Sequence, residues 1–169
     1  MKKNLILLGM MGVGKTTIGK IVAKKQGLEF VDTDKNIEKK CSMKISEIFK
    51  KKGEKFFRIK EEKEVLKSLA KNNCVIALGG GAFLNESIRK SILKNTISMW
   101  LDNDLETLNK RIKWNKNRPL LGKKNNQKKI NKLYAERKNI YKMANHKIVC
   151  NNLSKNDIAN KIIVFYEQH

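Results

Sequence analysis

The stretch Leu5–Thr17, LILLGMMGVGKTT, decides the fold class. It places an apolar run directly before the pattern Gly-x-x-x-x-Gly-Lys-Thr, which ends at Thr16, and a helical pattern follows. A strand, a glycine-rich loop and a helix in that order are the setting in which this pattern binds phosphate. A plain strand-to-helix turn would be the better interpretation of two isolated glycines, but the full pattern in this setting favours a phosphate-binding loop.

The residue types in this loop each have a chemical reason. Gly12 and Gly14 permit backbone angles that other residues avoid, so successive N–H groups can point at phosphate oxygens, aided by the helix N-terminus. Lys15 would bridge the β- and γ-phosphates of a nucleotide, and the Thr16 hydroxyl would ligate Mg²⁺. ATPases, GTPases and small-molecule kinases share such a loop, so it does not identify the acceptor.

The rest of the chain alternates short apolar runs with helical patterns. Strands are predicted at 2–8, 29–31, 74–78, 96–101 and 147–150. Helices are predicted at 15–26, 55–71, 104–113, 130–144 and 157–166, and after Asn85. This alternation predicts an α/β fold with a parallel sheet covered on both faces, and with ligands at the carboxyl ends of the strands.

The length of 169 residues indicates a single domain, 1–169. Pro119, the only proline, lies in a stretch from about 113 to 129 with little periodicity, which we predict to be a mobile lid. The longest purely aliphatic run, Leu5–Leu8, is far short of the roughly 18 apolar residues that a membrane span needs, so we expect no membrane association.

The net charge of +22 raises the question of a polyanionic partner. It comes from 38 Lys and Arg against 16 Asp and Glu, and 33 of the cations are Lys accompanied by 19 Asn, which indicates a compositional bias. The segment 113–147 nevertheless holds twelve basic residues and one acid, so it is a candidate anion clamp. A basic nucleic-acid-binding protein is therefore the alternative from another class, although no known nucleic-acid motif accompanies the charge and we expect no specific nucleic-acid partner.

The three cysteines, Cys41, Cys74 and Cys150, are odd in number and far apart. They lack the paired spacing of zinc or redox motifs, so we expect buried free thiols in a reducing cytoplasm.

Two predicted strands end in residues suited to ligands. Asp32 and Asp34, at spacing two, are expected to project on the same side. One carboxylate could orient Mg²⁺ through its water shell while the other accepts a proton from an attacking hydroxyl, or Asp34 could simply cap the next helix. The three glycines at 79–81 either form a plain turn or let a ligand approach the backbone closely.

Arginine is rare in this chain, and its placement is selective. Glu54, Arg58 and Glu61 share one helical face, which an intrahelical ion-pair network would explain without function. Arg58 is, however, one of five arginines among many lysines, and its planar fork suits bidentate binding of a carboxylate. Arg118 could swing onto the transferred phosphate when a lid closes, or belong to an exposed loop. Arg137 could be a plain helix-face neighbour of the tyrosine four residues later.

Together these motifs resemble the shikimate kinase family from about Leu5 to Ala144. Six segments in order carry the resemblance: GMMGVGKTT (9–17), FVDTD (30–34), GEKFFRIKE (53–61), GGG (79–81), RPLL (118–121) and RKNIYKMA (137–144). The resemblance implies a P-loop, nucleoside-monophosphate-kinase-like fold with a five-stranded parallel sheet flanked by helices and a mobile lid. It also implies transfer of the ATP γ-phosphoryl group to the 3-hydroxyl of shikimate, in chorismate and aromatic amino-acid biosynthesis. The nearest alternative is another P-loop small-molecule kinase of the gluconate type.

The resemblance implies roles for individual residues, and we expect the protein to be a monomer in the cytoplasm. ATP would be bound by Gly12, Val13, Gly14, Lys15, Thr16, Thr17, Arg111 and Arg118, with Arg111 against the adenine. Shikimate would be bound by Asp34, Phe49, Phe57, Arg58, Glu61, Gly80 and Arg137. The catalytic residues would be Lys15, Asp34 and Arg118, and the Mg²⁺ accompanying ATP would be held by Thr16 and Asp32. Where the family pattern leads us to expect a glycine, this chain has Cys41.

Overall fold

The computed structural model describes residues 2–113 and 126–169, and this part of the chain contains five strands and seven α-helices. The strands are Leu5–Leu8 (β1), Glu29–Asp32 (β2), Cys74–Ala77 (β3), Ile97–Asp102 (β4) and His146–Val149 (β5). The helices are Lys15–Gln26 (α1), Thr33–Cys41 (α2), Ile45–Leu69 (α3), Glu86–Asn95 (α4), Leu105–Lys113 (α5), Asn126–Tyr141 (α6) and Lys155–Glu167 (α7). The predicted alternation of strands and helices is confirmed.

The five strands form one parallel sheet in the order β2-β3-β1-β4-β5. β1 is central, with Leu5 opposite Val75 of β3 on one side and Ile97 of β4 on the other. After β1 the chain continues to β2, on one side of β1 in the sheet. After β3 it continues to β4, on the other side of β1. A crevice therefore opens between the carboxyl ends of β1 and β3, where ligands bind in folds of this kind.

Burial explains why the central strands read as continuous apolar runs. Every residue of β1, β3 and β4 is buried, because helices cover both faces of the sheet. Burying a Leu or Ile side chain contributes about 1.5–3 kcal/mol, so these strands supply much of the hydrophobic stabilisation. None of the helices in the described residues is long and apolar enough to cross a membrane.

A second, smaller apolar cluster joins α2 to α3. Its buried members are Ile37, Ile48 and Phe57. α3 contains a break at Gly53, whose φ of 83° and ψ of 167° are not helical. The cluster therefore fixes α2 against the two segments of α3 on either side of this break.

The structure corrects the limits of the predicted lid, 113–129. Lys113 ends α5, and α6 begins at Asn126, four residues before the predicted start at Ile130. The residues Asn126–Lys129 have no apolar periodicity, but Gln and Lys are good helix formers and the buried Ile130 anchors the turn that they extend. Residues 114–125, including Arg118, lie outside the described residues, so the mobile lid stays a prediction.

The position at which we expected a glycine, Cys41, is corrected by one residue to Ser42. Cys41 is the last residue of α2, and Ser42 adopts the left-handed conformation that ends the helix, with φ 48° and ψ 34°. Its N–H bonds back to the carbonyls of Glu38 and Lys39. A helix that ends this way favours glycine at the left-handed position, because a Cβ is strained there.

Ser42→Gly should therefore stabilise the protein. We expect the free energy of unfolding to rise by about 0.5–1 kcal/mol, because relief of the left-handed strain exceeds the entropy that glycine adds to the unfolded chain. Thermal unfolding measures this as a rise of about 2–3 °C. Asn73→Gly is the control: Asn73 has φ 56°, but Asn tolerates this conformation, so its gain should be smaller. A lower melting temperature for Ser42→Gly would contradict the argument.

Candidate active site

The carboxyl ends of the strands open into one cavity of about 510 Å³, a size typical of small-molecule sites. It brings together most of the residues that the sequence singled out. Its lining includes Gly12, Gly14, Lys15, Thr16, Thr17, Asp32, Asp34, Phe49, Phe57, Arg58, Glu61, Gly80, Arg111 and Arg137. The Val13 side chain is buried and does not line the cavity, and Arg118 lies outside the described residues.

The loop between β1 and α1 forms one end of the cavity. Gly9, Gly12 and Gly14 have φ values of 138°, 83° and 104°, which only glycine adopts without strain. The Lys15 ammonium donates to the carbonyl oxygens of Gly9 at 2.9 Å and Met10 at 3.0 Å. The loop thus wraps around the lysine at the start of α1, where the helix dipole favours an anion.

Asp32 connects this loop to the second strand. Its Oδ2 accepts a 2.7 Å hydrogen bond from the Thr16 hydroxyl, and its Oδ1 accepts one from the Lys35 N–H at 3.1 Å. Asp32 therefore caps α2, so the alternative that Asp34 is the cap is wrong. Asp32 and Asp34 both line the cavity, as expected, but strand alternation is not the cause, because α2 begins at Thr33 and Asp34 reaches the cavity from the first helical turn.

Asp34 has a carboxylate oxygen that no described residue satisfies. Its Oδ1 is buried and without a hydrogen-bond partner among the described residues. Burial, followed by the charge of Glu61, raises the pKa of Asp34 from 3.8 to about 7, although Lys15 acts to lower it. A Cβ built on Gly79 would lie 2.5 Å from this oxygen and 2.8 Å from Glu61 Oε1, so a side chain at position 79 would have to displace both carboxylates. Asp34 is thus placed to accept a hydrogen bond from a ligand.

Arg58 is held by two carboxylates on its own helix. Its Nε and Nη2 donate to Glu54 Oε1 at 3.2 and 3.0 Å, and its Nη1 donates to Glu61 Oε2 at 2.7 Å. Burial raises the pKa of Glu61, although Arg58 acts to lower it. The ion-pair network that the sequence left as an alternative therefore exists, and Arg58 lines the cavity as well.

Arg137 is a buried cation whose donors are not all used. The residue is 3% exposed, and its Nε and Nη1 have no hydrogen-bond partner among the described residues. One turn later on α6, the Tyr141 hydroxyl donates to the carbonyl of Gly80, which fixes the helix against the glycine turn. A buried guanidinium with unpaired N–H groups is costly, so its position in the cavity indicates an anionic ligand.

Aromatic rings close another side of the cavity. Phe49 and Phe57 lie with ring centroids 4.8 Å apart, and the Phe57 ring also contacts the Arg58 guanidinium. Arg111 lies at the phosphate loop, where its Nη1 donates to the Val13 carbonyl at 3.4 Å. The cavity therefore combines a cationic phosphate end with a half-apolar end that holds both cations and carboxylates.

Sequence reasoning missed six lining residues: Met11, Lys35, Glu38, Ile45, Ala77 and Leu78. Glu38 lies one helical turn after Asp34, so i,i+4 spacing on α2 could have found it. Its Oε1 accepts the Ile45 N–H at 3.0 Å, which ties the start of α3 to α2. No local signal marks Met11 or Ile45, since apolar residues at such positions usually face a core.

Comparison with known proteins gives the family. The family model for shikimate kinase matches residues 11–167. The shikimate kinase of Bartonella henselae is 42% identical over 159 residues, which cover 94% of this chain and 76% of that relative. The shikimate kinase of Bacillus subtilis is 42% identical over 165 residues, which cover 96% and 88%. The chain belongs to the shikimate kinase family.

The solved structures agree with this membership. A shikimate kinase from Acinetobacter baumannii, solved in complex with shikimate, superposes with a TM-score of 0.96 at 34% identity and covers 99% of this chain and 94% of that one. The predicted nucleoside-monophosphate-kinase-like fold is therefore confirmed. A gluconokinase from Sinorhizobium meliloti has a TM-score of 0.63 at 13% identity, covering 98% of this chain and 92% of that one, so it shares the fold alone. The gluconate-type alternative gains no support beyond the common fold of shikimate kinases and their P-loop neighbours.

Proposed function

We propose that this chain transfers the γ-phosphoryl group of ATP to the 3-hydroxyl of shikimate, giving shikimate 3-phosphate and ADP. One observation supports it above all: a single cavity is lined by a phosphate loop, by the buried Arg137 guanidinium, whose Nε and Nη1 have no hydrogen-bond partner among the described residues, and by Asp34, whose Oδ1 likewise has none there. Shikimate is a small carboxylate that bears hydroxyl groups. A site for shikimate needs a cation that binds the carboxylate through two hydrogen bonds at one end, and a protein carboxylate near one hydroxyl at the other.

The nucleotide would occupy the end formed by the loop. The backbone N–H groups of residues 12–17 would bind the phosphates, and Lys15 would bridge the β- and γ-phosphates. Arg111 would lie against the adenine, next to the loop carbonyl that it already contacts. Arg118 would contact the transferred phosphoryl group, a role that rests on the family pattern alone.

Mg²⁺ fits the donors that remain at this end. Thr16 and Asp32 present a hydroxyl and a carboxylate side by side, both lining the cavity. Mg²⁺ in phosphoryl-transfer sites takes one or two protein oxygens together with phosphate oxygens and water, so no larger acidic cluster is needed. When bound, the ion would neutralise charge on the transferred phosphate.

The acceptor would occupy the other end. Arg58 and Arg137 would grip the shikimate carboxylate, Glu61 would orient Arg58, and Phe49 and Phe57 would pack against the carbon ring. Gly80 would let the acceptor approach the backbone. Asp34 would accept a hydrogen bond from the 3-hydroxyl and take its proton as the bond to phosphorus forms. Because the transition state of phosphoryl transfer is loose, holding this hydroxyl in line with the γ-phosphate is the larger part of that role.

The proposal extends to a single domain, 1–169, that acts as a monomer in the cytoplasm. The main apolar cluster runs from β1 to α7, which supports one domain. Cys41, Cys74 and Cys150 are free thiols, in keeping with a reducing compartment. Light scattering of the purified protein at assay concentration tests the monomer.

An acceptor panel tests the reaction. ADP release should be far faster with shikimate than with gluconate, AMP or no acceptor, because AMP lacks a carboxylate and gluconate is a flexible open chain, whereas shikimate holds its carboxylate and hydroxyls on one ring. The product with shikimate should carry one phosphate on the 3-oxygen, as phosphorus NMR would show. Equal turnover across the panel would remove the assignment and leave a different small-molecule kinase.

A further inference from the structure

A buried carboxylate outside the cavity joins the two helices that carry its acceptor end. Glu64 lies on α3 and is 4% exposed. Its Oε1 accepts a 2.8 Å hydrogen bond from Asn36 Nδ2, and its Oε2 forms an ion pair with the Lys40 ammonium. Asn36 and Lys40 are four residues apart on α2, so they present donors from one face of that helix to a single side chain of α3. We call these three residues the Glu64 link.

The Glu64 link lies on the same two helices as two acidic residues of the cavity. Asn36 is two residues after Asp34 on α2, and Glu64 is one turn after Glu61 on α3. Asp34 Oδ1 and Glu61 Oε1 both approach the same point above Gly79, at 2.5 and 2.8 Å from a Cβ built there. The two acidic side chains therefore face each other across the gap between the helices, close to the link.

This arrangement opposes like charges at the acceptor end. When both carboxylates are ionised, Asp34 and Glu61 repel each other and favour a wider separation of α2 from α3. The apolar cluster of Ile37, Ile48 and Phe57 holds the helices together by non-directional contacts, which allow sliding. The hydrogen bond from the Ile45 N–H to Glu38 is directional but acts at the start of α3, and the Glu64 link adds directional contacts further along that helix, which fix its register against α2 there.

We propose that Glu64 is a positioning residue for phosphoryl transfer: through Asn36 and Lys40 it holds α2 at the distance from α3 at which Asp34 meets the acceptor that Arg58 and Arg137 grip. The proposal rests on the proposed function, because it concerns the alignment of that acceptor. Glu64 is not among the residues that line the cavity, so it acts through α2 and does not touch the substrate.

Positioning and stability can be separated at this site. The Glu64 side chain is 5% exposed whereas that of Lys40 is 52% exposed, so a desolvated carboxylate faces a half-hydrated ammonium. Removing one partner of an ion pair is strongly destabilising when it leaves a buried, unpaired charge, but the charge left behind here is the half-exposed Lys40 ammonium, which water can hydrate. A Leu at position 64 should therefore keep the fold while removing the directional contacts to Asn36 and Lys40.

Glu64→Leu is the test, with steady-state kinetics in both substrates and thermal unfolding of the full chain. We expect kcat/KM for shikimate to fall about tenfold or more, since a displacement of about 1 Å at a reacting centre can cost about 100-fold. The KM for ATP should stay within about twofold, because the phosphate loop is positioned by β1 and α1. Glu64→Gln keeps a hydrogen-bonding partner for α2 and should restore kcat/KM for shikimate to within about threefold of the wild type.

Glu62→Leu is the matched control on the same helix. The Glu62 carboxylate accepts a 3.2 Å hydrogen bond from Asn85 Nδ2, outside the cavity and away from α2, so its loss should leave both kinetic constants unchanged. If Glu64→Leu does not fold, Lys40→Met and Asn36→Ala remove the link from the more exposed helix and should lower kcat/KM for shikimate in the same selective way.

The outcomes separate the two proposals. A folded Glu64→Leu protein, or folded Lys40→Met and Asn36→Ala proteins, with unchanged kcat/KM for shikimate would overturn the positioning role. So would an equal loss in the Glu62→Leu control, or a loss that appears in the KM for ATP. The wild type in the same assay tests the proposed function by itself: if shikimate does not stimulate its ADP release, that function fails whatever the variants do.

Discussion

Asp34→Asn should lower kcat by about 100-fold or more, with little change in the KM for ATP. A positioned general base contributes roughly 10²–10⁴-fold, and the amide keeps the shape of the side chain while losing the ability to take a proton. The lower part of that range is the better expectation, because a loose transition state needs little base help. Single-turnover phosphoryl transfer measures the chemical step directly. Near-normal turnover by this variant would refute the base role.

The rate of the wild type should depend on pH through the same carboxyl group. With a pKa of about 7, Asp34 is protonated in acid and ionised above neutrality. Only the ionised form can accept a proton, so kcat/KM for shikimate should fall as the pH drops through about 7. The fall should be absent from the residual activity of Asp34→Asn, because the amide does not titrate.

Asp34→Asn should also raise the free energy of unfolding. Activity of the wild type rises with pH through the ionisation of Asp34, whereas its stability falls with pH for the same reason. The pKa of Asp34 is higher in the folded chain than its ordinary 3.8, so as the pH rises from about 4 to 7 the unfolded chain ionises first and folding becomes less favourable. Above pH 7 this cost is on the order of 4 kcal/mol at most, because each pKa unit corresponds to about 1.4 kcal/mol. Asp34→Asn should therefore melt several degrees higher than the wild type at pH 8, and at nearly the same temperature at pH 4. An equal gain at both pH values would mean that ionisation is not the cause.

Arg137→Lys should raise the KM for shikimate by about 10- to 100-fold and leave the KM for ATP little changed. Lysine keeps the positive charge but loses the planar fork, and a hydrogen bond to a charged group is worth about 1.5–3 kcal/mol. The effect should be large because Arg137 is 3% exposed, so water cannot replace the lost donor. Steady-state kinetics with each substrate varied in turn measures both constants.

Arg58→Lys is the comparison variant for this result, and Arg89→Lys is the control. Arg58→Lys should act in the same direction but less strongly, because the Arg58 side chain is 30% exposed and two carboxylates already share its donors. Arg89 donates to the Phe83 and Leu84 carbonyls at 3.1 and 3.0 Å and does not line the cavity, so Arg89→Lys should leave both KM values unchanged. If Arg137→Lys raised the KM for ATP instead, the two ends of the cavity would be assigned the wrong way round.

Local patterns in the sequence were sufficient for most of the fold. The apolar run at Leu5–Leu8 and the glycines after it specify a strand, a loop and a helix within seventeen residues, and no distant contact is needed to recognise them. The parallel sheet and the place of the cavity at the carboxyl ends of its strands followed from the general behaviour of parallel sheets, whereas the order of the strands came only from the structure. The predicted set of site residues came from motif spacing and from the family resemblance.

The features that sequence reasoning missed depend on contacts between distant residues. The capping role of Asp32 depends on where β2 ends, and strand and helix patterns overlap there. The raised pKa of Asp34 depends on burial and on Glu61, 27 positions away. Glu64 reads as one more surface charge in a helix rich in Lys and Glu, yet it lies on the buried face of α3 together with Phe57 and Val65.

The crowding above Gly79 has a consequence for inhibitor design. Any substitution at this position would push a new side chain against the Asp34 and Glu61 oxygens. A variant that resists an inhibitor in this way would also displace residues of the active site. An inhibitor that contacts the main chain of residue 79 would therefore be difficult to escape by mutation, because a substitution that blocks the inhibitor would also impair the reaction.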